Sequence, residues 1–112
     1  MTKTDVIQLL SDFFTEVKCS YKIKLTNKPL TNDWDKMFIR PEKSYVEFGQ
    51  TGPVRISEVD WVDINPIEQI RIGARVPDKY NDHTDNIKNY FDKNSIKYSI
   101  NDKTIRVTLA DN

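Results

Sequence analysis

Near the N-terminus apolar residues recur at spacings of three and four: Val6, Leu9, Leu10, Phe13, Phe14 and Val17. On a helix that spacing makes one continuous stripe, with Gln8, Ser11, Asp12, Thr15 and Glu16 on the other side. The pattern predicts a helix over 4–18, with Thr4 as N-cap and Asp5 set against the positive end of the helix dipole. From Tyr21 the period drops to two. Tyr21, Ile23 and Leu25 alternate with Lys22, Lys24 and Thr26, which predicts a half-exposed strand whose lysines suit an edge position.

A polar connection follows over 27–43, with Trp34 inside it and a short strand at Met37, Phe38 and Ile39. Residues 44–50 read as another strand, carrying Tyr45, Val46 and Phe48. The turn at Gly49, Gln50, Thr51, Gly52 and Pro53 folds it back as a hairpin onto the densest apolar run of the chain, 54–76. In that run Val54 and Ile56 alternate with Arg55 and Ser57. The phase then breaks at Glu58, leaving Val59, Trp61 and Asp63 on one face and Asp60, Val62 and Ile64 on the other. A phase change inside a strand is what a bulge or bend produces. Pro66 interrupts the run, and a strand is expected over 69–76, bent at Gly73.

A second helix is expected to begin within 81–84, capped by Asp82 or Thr84, with Ile87, Tyr90 and Phe91 on its buried side and Lys93 and Asn94 at its end. Ile96, Tyr98 and Ile100 alternate, Asn101, Asp102 and Lys103 turn the chain, and Ile105, Val107 and Leu109 alternate again, which predicts a terminal hairpin. Short connections between successive strands favour antiparallel pairing. The expected fold is therefore α+β: one domain over 1–112, in two layers, with a twisted, mainly antiparallel sheet and two helices packed on one face.

Composition narrows the function. The chain of 112 residues holds 17 basic and 17 acidic side chains, so its formal charge is zero and a broad basic footprint for nucleic acid is not expected. No apolar run approaches membrane-spanning length and the N-terminus lacks a signal-peptide pattern, so a cytoplasmic protein without membrane contact is expected. Cys19 is the single cysteine and His83 the single histidine. Zinc sites and nucleophilic triads need more such groups, and no glycine-rich phosphate or dinucleotide turn is present. Neither an enzyme nor a cofactor is expected.

The remaining chemistry is acidic and aromatic. Glu58, Asp60, Asp63 and Glu68 fall in a stretch free of lysine and arginine, around Trp61. Over residues 31–63 seven acids stand against four bases. Asp33 and Asp35 flank Trp34, which either anchors a partner or caps the core from one edge. Glu58 and Asp60 on one strand face could instead hold a divalent cation, the basis of a metal-dependent hydrolase reading. The acidic run is better suited to recognising a basic protein surface, where complementary charge speeds association and sets orientation.

A small α+β protein without a catalytic set, but with an acidic and aromatic surface, resembles the immunity proteins of bacterial toxin systems, including those of contact-dependent growth inhibition. The resemblance covers size, class and surface character. It implies a stoichiometric inhibitor of a cognate toxin, a basic nuclease for example, acting through Glu58, Asp60, Trp61, Asp63 and Glu68, with Trp34 beside them. A phage or mobile-element protein that inhibits a host enzyme would look the same and differ only in its partner.

Overall fold

The computed structural model describes residues 2–26, 28, 34–35, 38–42, 44–48 and 52–109. Helix α1 spans Lys3–Glu16. Its N-cap is Thr2 rather than Thr4. The Thr2 hydroxyl accepts from the Asp5 amide at 3.1 Å, and the Asp5 carboxylate accepts from the Thr2 amide at 3.0 Å. Asp5 stands at the third helical position only when Thr2 caps, and that reciprocal spacing decides the start. Val6, Leu10, Phe13 and Phe14 are buried as the stripe predicts, and Ile7 and Ser11 are buried with them. The buried arc is wider than one stripe because α1 packs on the sheet, on the second helix and beside β2, Phe38–Glu42.

Strand β1, Ser20–Leu25, alternates as predicted, with Tyr21, Ile23 and Leu25 buried. It forms one edge of a four-stranded antiparallel sheet in the order β1-β5-β9-β8, in which β5 is Val59–Asn65, β8 is Ser99–Asn101 and β9 is Thr104–Thr108. A second antiparallel sheet joins β2 to β3, Tyr45–Phe48, and β4, Gly52–Arg55. The hairpin of β3 and β4 is as expected; the turn residues 49–51, like Met37 of the anticipated short strand, lie outside the described residues. Gly52 has φ +79°, a conformation that suits glycine.

The central run does not continue as one strand. After β4 a 3-10 turn, Ile56–Glu58, carries the chain from the second sheet to the first. Ile56 is buried there, and its amide donates to the Ser44 carbonyl at 2.9 Å. Then Leu25 pairs with Val59 and Lys24 with Trp61, which leaves Asp60 as an extra residue. This bulge returns Val59 to the core side beside Val62 and Ile64, all fully buried, instead of leaving it on the Trp61 face.

Beyond Pro66 the chain forms a two-stranded ribbon of β6, Ile67–Ile70, with β7, Lys79–Asp82, in place of the strand expected over 69–76. The ribbon's far end is closed by a bridge between Gly73 and Val76. Because Asn81 and Asp82 pair with Glu68 and Ile67, helix α2 begins only at Thr84 and runs Thr84–Lys93. The N-cap is His83, with no side-chain capping bond, rather than Asp82 or Thr84; Asp82, one residue earlier, accepts from the amide of the first helical residue, Thr84, at 2.9 Å.

At the C-terminal end of α2, Ser95 adopts φ +59°. The Ile96 amide reaches back to the Phe91 carbonyl at 2.8 Å and the Ser95 amide to Asp92 at 3.3 Å. These two bonds are a Schellman motif, closed by the buried pair Phe91 and Ile96. The terminal hairpin follows as predicted, with Ile105, Val107 and Leu109 buried, although pairing on the first strand begins only at Ser99.

Aromatic contacts tie the layers together. Phe14 meets Tyr21 of β1 at 5.3 Å between ring centres, and Phe91 meets Tyr98 at 5.6 Å. Phe13 joins the two helices through Tyr90 at 5.0 Å, and the Tyr90 hydroxyl donates to the Leu9 carbonyl at 2.8 Å. Both helices therefore cover one face of the four-stranded sheet, which is the α+β arrangement expected. Each large side chain so buried contributes about 1.5–3 kcal/mol. Among the described residues no helix is long and apolar enough to cross a membrane.

Candidate interaction face

The opposite face of the four-stranded sheet carries the alternate residues of each strand. One row across it is Lys24, Trp61 and Thr108; the next is Lys22, Asp63, Arg106 and Ser99. Arg106 joins the two rows. Its Nε donates to Asp63 Oδ1 at 2.7 Å and its Nη2 to Oδ2 at 3.0 Å, a bidentate pair. The same guanidinium lies 3.9 Å from the centre of the Trp61 ring. The hydrogen bond to Asp63 raises the Arg106 pKa, so its charge is permanent. The carboxylate thus locks the guanidinium in plane and the guanidinium locks the indole, with little rotamer freedom left to lose on binding.

Trp34 adjoins this face from the edge of the sheet. Tyr21 and Asp35 exchange backbone hydrogen bonds of 2.8 Å, which sets residues 34–35 alongside β1. Lys22 Nζ then sits 4.6 Å from the centre of the Trp34 ring. Of the two readings of Trp34, this geometry puts the residue next to the open face, half-buried, with a cation against its ring.

The acids of the central run are dispersed. Glu58 is exposed at the end of the 3-10 turn. Asp60 occupies the bulge, where its Oδ1 accepts from the Thr26 hydroxyl at 2.6 Å. Asp63 is 8 % exposed and occupied by Arg106. Glu68 lies on the ribbon, its Oε1 2.9 Å from His83 Nε2. That bond is the main reason the Glu68 carboxyl is held below its usual value, with Asn81 and Lys18 adding to it. The site residues Trp61 and Asp63 are brought together with Trp34 nearby, whereas Glu58, Asp60 and Glu68 point to separate tasks. Glu58 and Asp60 do not share a strand, and among the described residues no three His, Cys, Asp or Glu side chains converge as a metal site. Cys19 is a buried free thiol whose pKa is pushed up to about 11, by burial first and by Glu68 second.

Arg106 and Lys22 complete the face; the sequence marks Lys22 as one of the lysines of a half-exposed edge strand and does not single out Arg106. Their only local signal is an outward phase: Arg106 lies between buried Ile105 and Val107, as Lys22 does between Tyr21 and Ile23. Knowing that Arg106 faces Asp63 requires the register of two strands more than thirty residues apart.

Two hollows lie among the described residues. An open one of about 630 Å³ lies by the start of α1 and is lined by Lys3, Tyr45, Arg55 and hydroxyl side chains. Its two cations are bonded within the fold, Lys3 Nζ to the carbonyls of Ser57 and Val59 and Arg55 Nε to the Tyr45 hydroxyl. The other, about 190 Å³, is a cleft between the ribbon and the start of β1, lined by Lys18, Ile67, Glu68 and Tyr80 among others.

Fold and face together define a small α+β domain with a polar, aromatic sheet surface opposite its helices. The chain belongs to DUF6678, a family of unknown function, which it matches over residues 5–108, from the first turn of α1 to the last residue of β9. No curated protein and no solved structure matches it.

Proposed function

We propose that the chain is a protein-binding module that holds and neutralises another protein, as the immunity proteins it resembles hold their toxins, and that it does so in the cytoplasm. The observation that carries this reading is the preordered Trp61–Arg106–Asp63 unit on a sheet face that neither helix covers. Tryptophan and arginine dominate the energetics of protein interfaces, and a pair already fixed in its bound geometry loses little entropy on docking. Trp34 with Lys22 extends the same surface.

The test is affinity capture from the source cell with the tagged wild type, Trp61→Ala and Arg106→Ala, all checked for native circular dichroism. A single stoichiometric partner, retained by the wild type and lost by both variants, is expected. A partner that binds the folded variants as tightly as the wild type would remove this face from the binding role.

A further inference from the structure

The cleft of about 190 Å³ between the ribbon and the start of β1 gathers residues that the Trp61–Arg106 face does not use. Ile67, Glu68 and Gln69 are consecutive on β6, and all three line it. Successive strand residues point to opposite faces, so the cleft runs along an edge of β6 and not over one face. β7 occupies one edge, which leaves the other. The facing wall is set by Cys19. Its side chain is buried in the core, so its neighbours Lys18 and Ser20 turn outward to the cleft. Asn65, paired with Ser20, joins the two walls, and Tyr80, paired with Gln69, completes the ribbon side.

The cleft carries one charge of each sign. Glu68 is paired with His83 and not with Lys18, and that hydrogen bond keeps its carboxylate ionised. Lys18 lowers the Glu68 pKa further through its charge alone, so the two opposite charges act on each other without touching. The Lys18 ammonium, the Ser20 hydroxyl and the Tyr80 hydroxyl have no hydrogen-bond partner among the described residues. Asn65 Oδ1 accepts from the Ile67 amide at 3.0 Å, which leaves its NH2 group as a further donor. Ile67, 37 % exposed, supplies an aliphatic surface beside them.

We propose that this cleft binds a free α-amino acid as its zwitterion, with the carboxylate held by Lys18 and Ser20, the ammonium by Glu68, and a small side chain against Ile67 and Tyr80. The site goes beyond the protein-binding reading and does not depend on it. A zwitterion is the ligand whose two charges both find an opposite partner here, whereas a simple anion meets Glu68 and a simple cation meets Lys18. The volume of about 190 Å³ is that of about six waters in the liquid, enough for alanine, serine or valine and too little for a nucleotide.

The experiment follows the amide chemical shifts of the ¹⁵N-labelled full chain while L-alanine, L-serine and L-valine are added one at a time to about 10 mM, enough to reveal millimolar affinity. The amino acid that binds is then compared with its N-acetyl derivative, which lacks the ammonium, and its amide, which lacks the carboxylate. Lys18→Met tests the wall by β1, with Lys97→Met as a control; both lysines are exposed and without a partner, so the variants keep the fold. Saturable shifts are expected at residues 18–20, 65–69 and 80. Affinity falls at least tenfold for both derivatives and for Lys18→Met, and is unchanged in Lys97→Met. No saturable shift with any of the three amino acids overturns the site. So do shifts confined to other residues, equal affinity for either derivative, or unchanged affinity in Lys18→Met. Such a failure leaves partner capture through Trp61 and Arg106 untouched, and loss of that capture leaves the cleft standing.

Discussion

Asp63 and Arg106 stand directly opposite one another on β5 and β9, joined by two parallel bonds of 2.7 and 3.0 Å. Asp63 is buried and Arg106 half-exposed, so the pair is worth more than a surface ion pair and less than a buried one. Asp63→Asn should cost about 1–2 kcal/mol, since it weakens two charge-assisted bonds while keeping the shape. Urea unfolding checks the loss. Trp61 emission should also change in the folded state, because the guanidinium over its ring is released.

Ser95 sits in the left-handed region at φ +59°, at the position where the Schellman motif favours glycine. Ser95→Gly should stabilise the protein by about 1 kcal/mol, by relieving the Cβ clash that a side chain suffers there. A lower melting temperature in this variant would mean that the serine side chain compensates for the strain.

The two threonines at the start of α1 are distinguishable. Thr2→Ala should lose about 1 kcal/mol, the usual value of an N-cap hydroxyl, whereas Thr4→Ala should be close to neutral. Parallel thermal melts of the two variants decide which residue caps the helix.

The Glu68–His83 bond fastens the ribbon to the body, and its pH dependence has a definite sign. Glu68 is held below its ordinary value of 4.5 by His83, so the folded form resists protonation. The stabilisation is present above that pH and is lost as the pH falls through the lower, folded value. The protection factors of the amides in 67–70 and 79–82, taken relative to intrinsic exchange at each pH, should therefore fall in acid before those of β5 and β9. In Glu68→Gln the ribbon amides should exchange faster at neutral pH and show no such step.

Cys19 shifts in the opposite direction. Its thiol rises from an ordinary 9.0 to about 11 in the fold. The unfolded chain loses that proton first, so the contribution of Cys19 to stability falls as the pH rises from about 9 to about 11. The thiol should react slowly with an aromatic disulfide at pH 8 and rapidly once denaturant is added. Fast reaction in the native protein would place Cys19 outside the core.

Local periodicity is enough to read α1, β1, the buried side of α2 and the terminal hairpin, because in each the spacing of apolar residues within one short segment matches the element it forms. Antiparallel pairing follows from the short turns, and with it the α+β class. Trp61 and Asp63 are legible as neighbours on one face because they are two positions apart on one strand. Their shared partner is not: Arg106 is 43 positions from Asp63, and nothing local indicates which of the outward charges will meet it.

Tertiary packing decides the rest. Ile56 turns inward and divides the central run between two sheets, and the Asp60 bulge then returns Val59 to the core. Asn81 and Asp82, polar enough to be taken for the start of a helix, join Lys79 and Tyr80 in a strand because β6 offers them backbone partners. The run of acids reads as one surface in the sequence, where position along the chain is all that is visible. In the folded chain each acid is governed by the strand, turn or side chain that it meets, so Asp63 is neutralised by an arginine, Asp60 bonds a threonine and Glu68 fastens a ribbon. Sequence periodicity determines which way a side chain points; only long-range register determines what it faces.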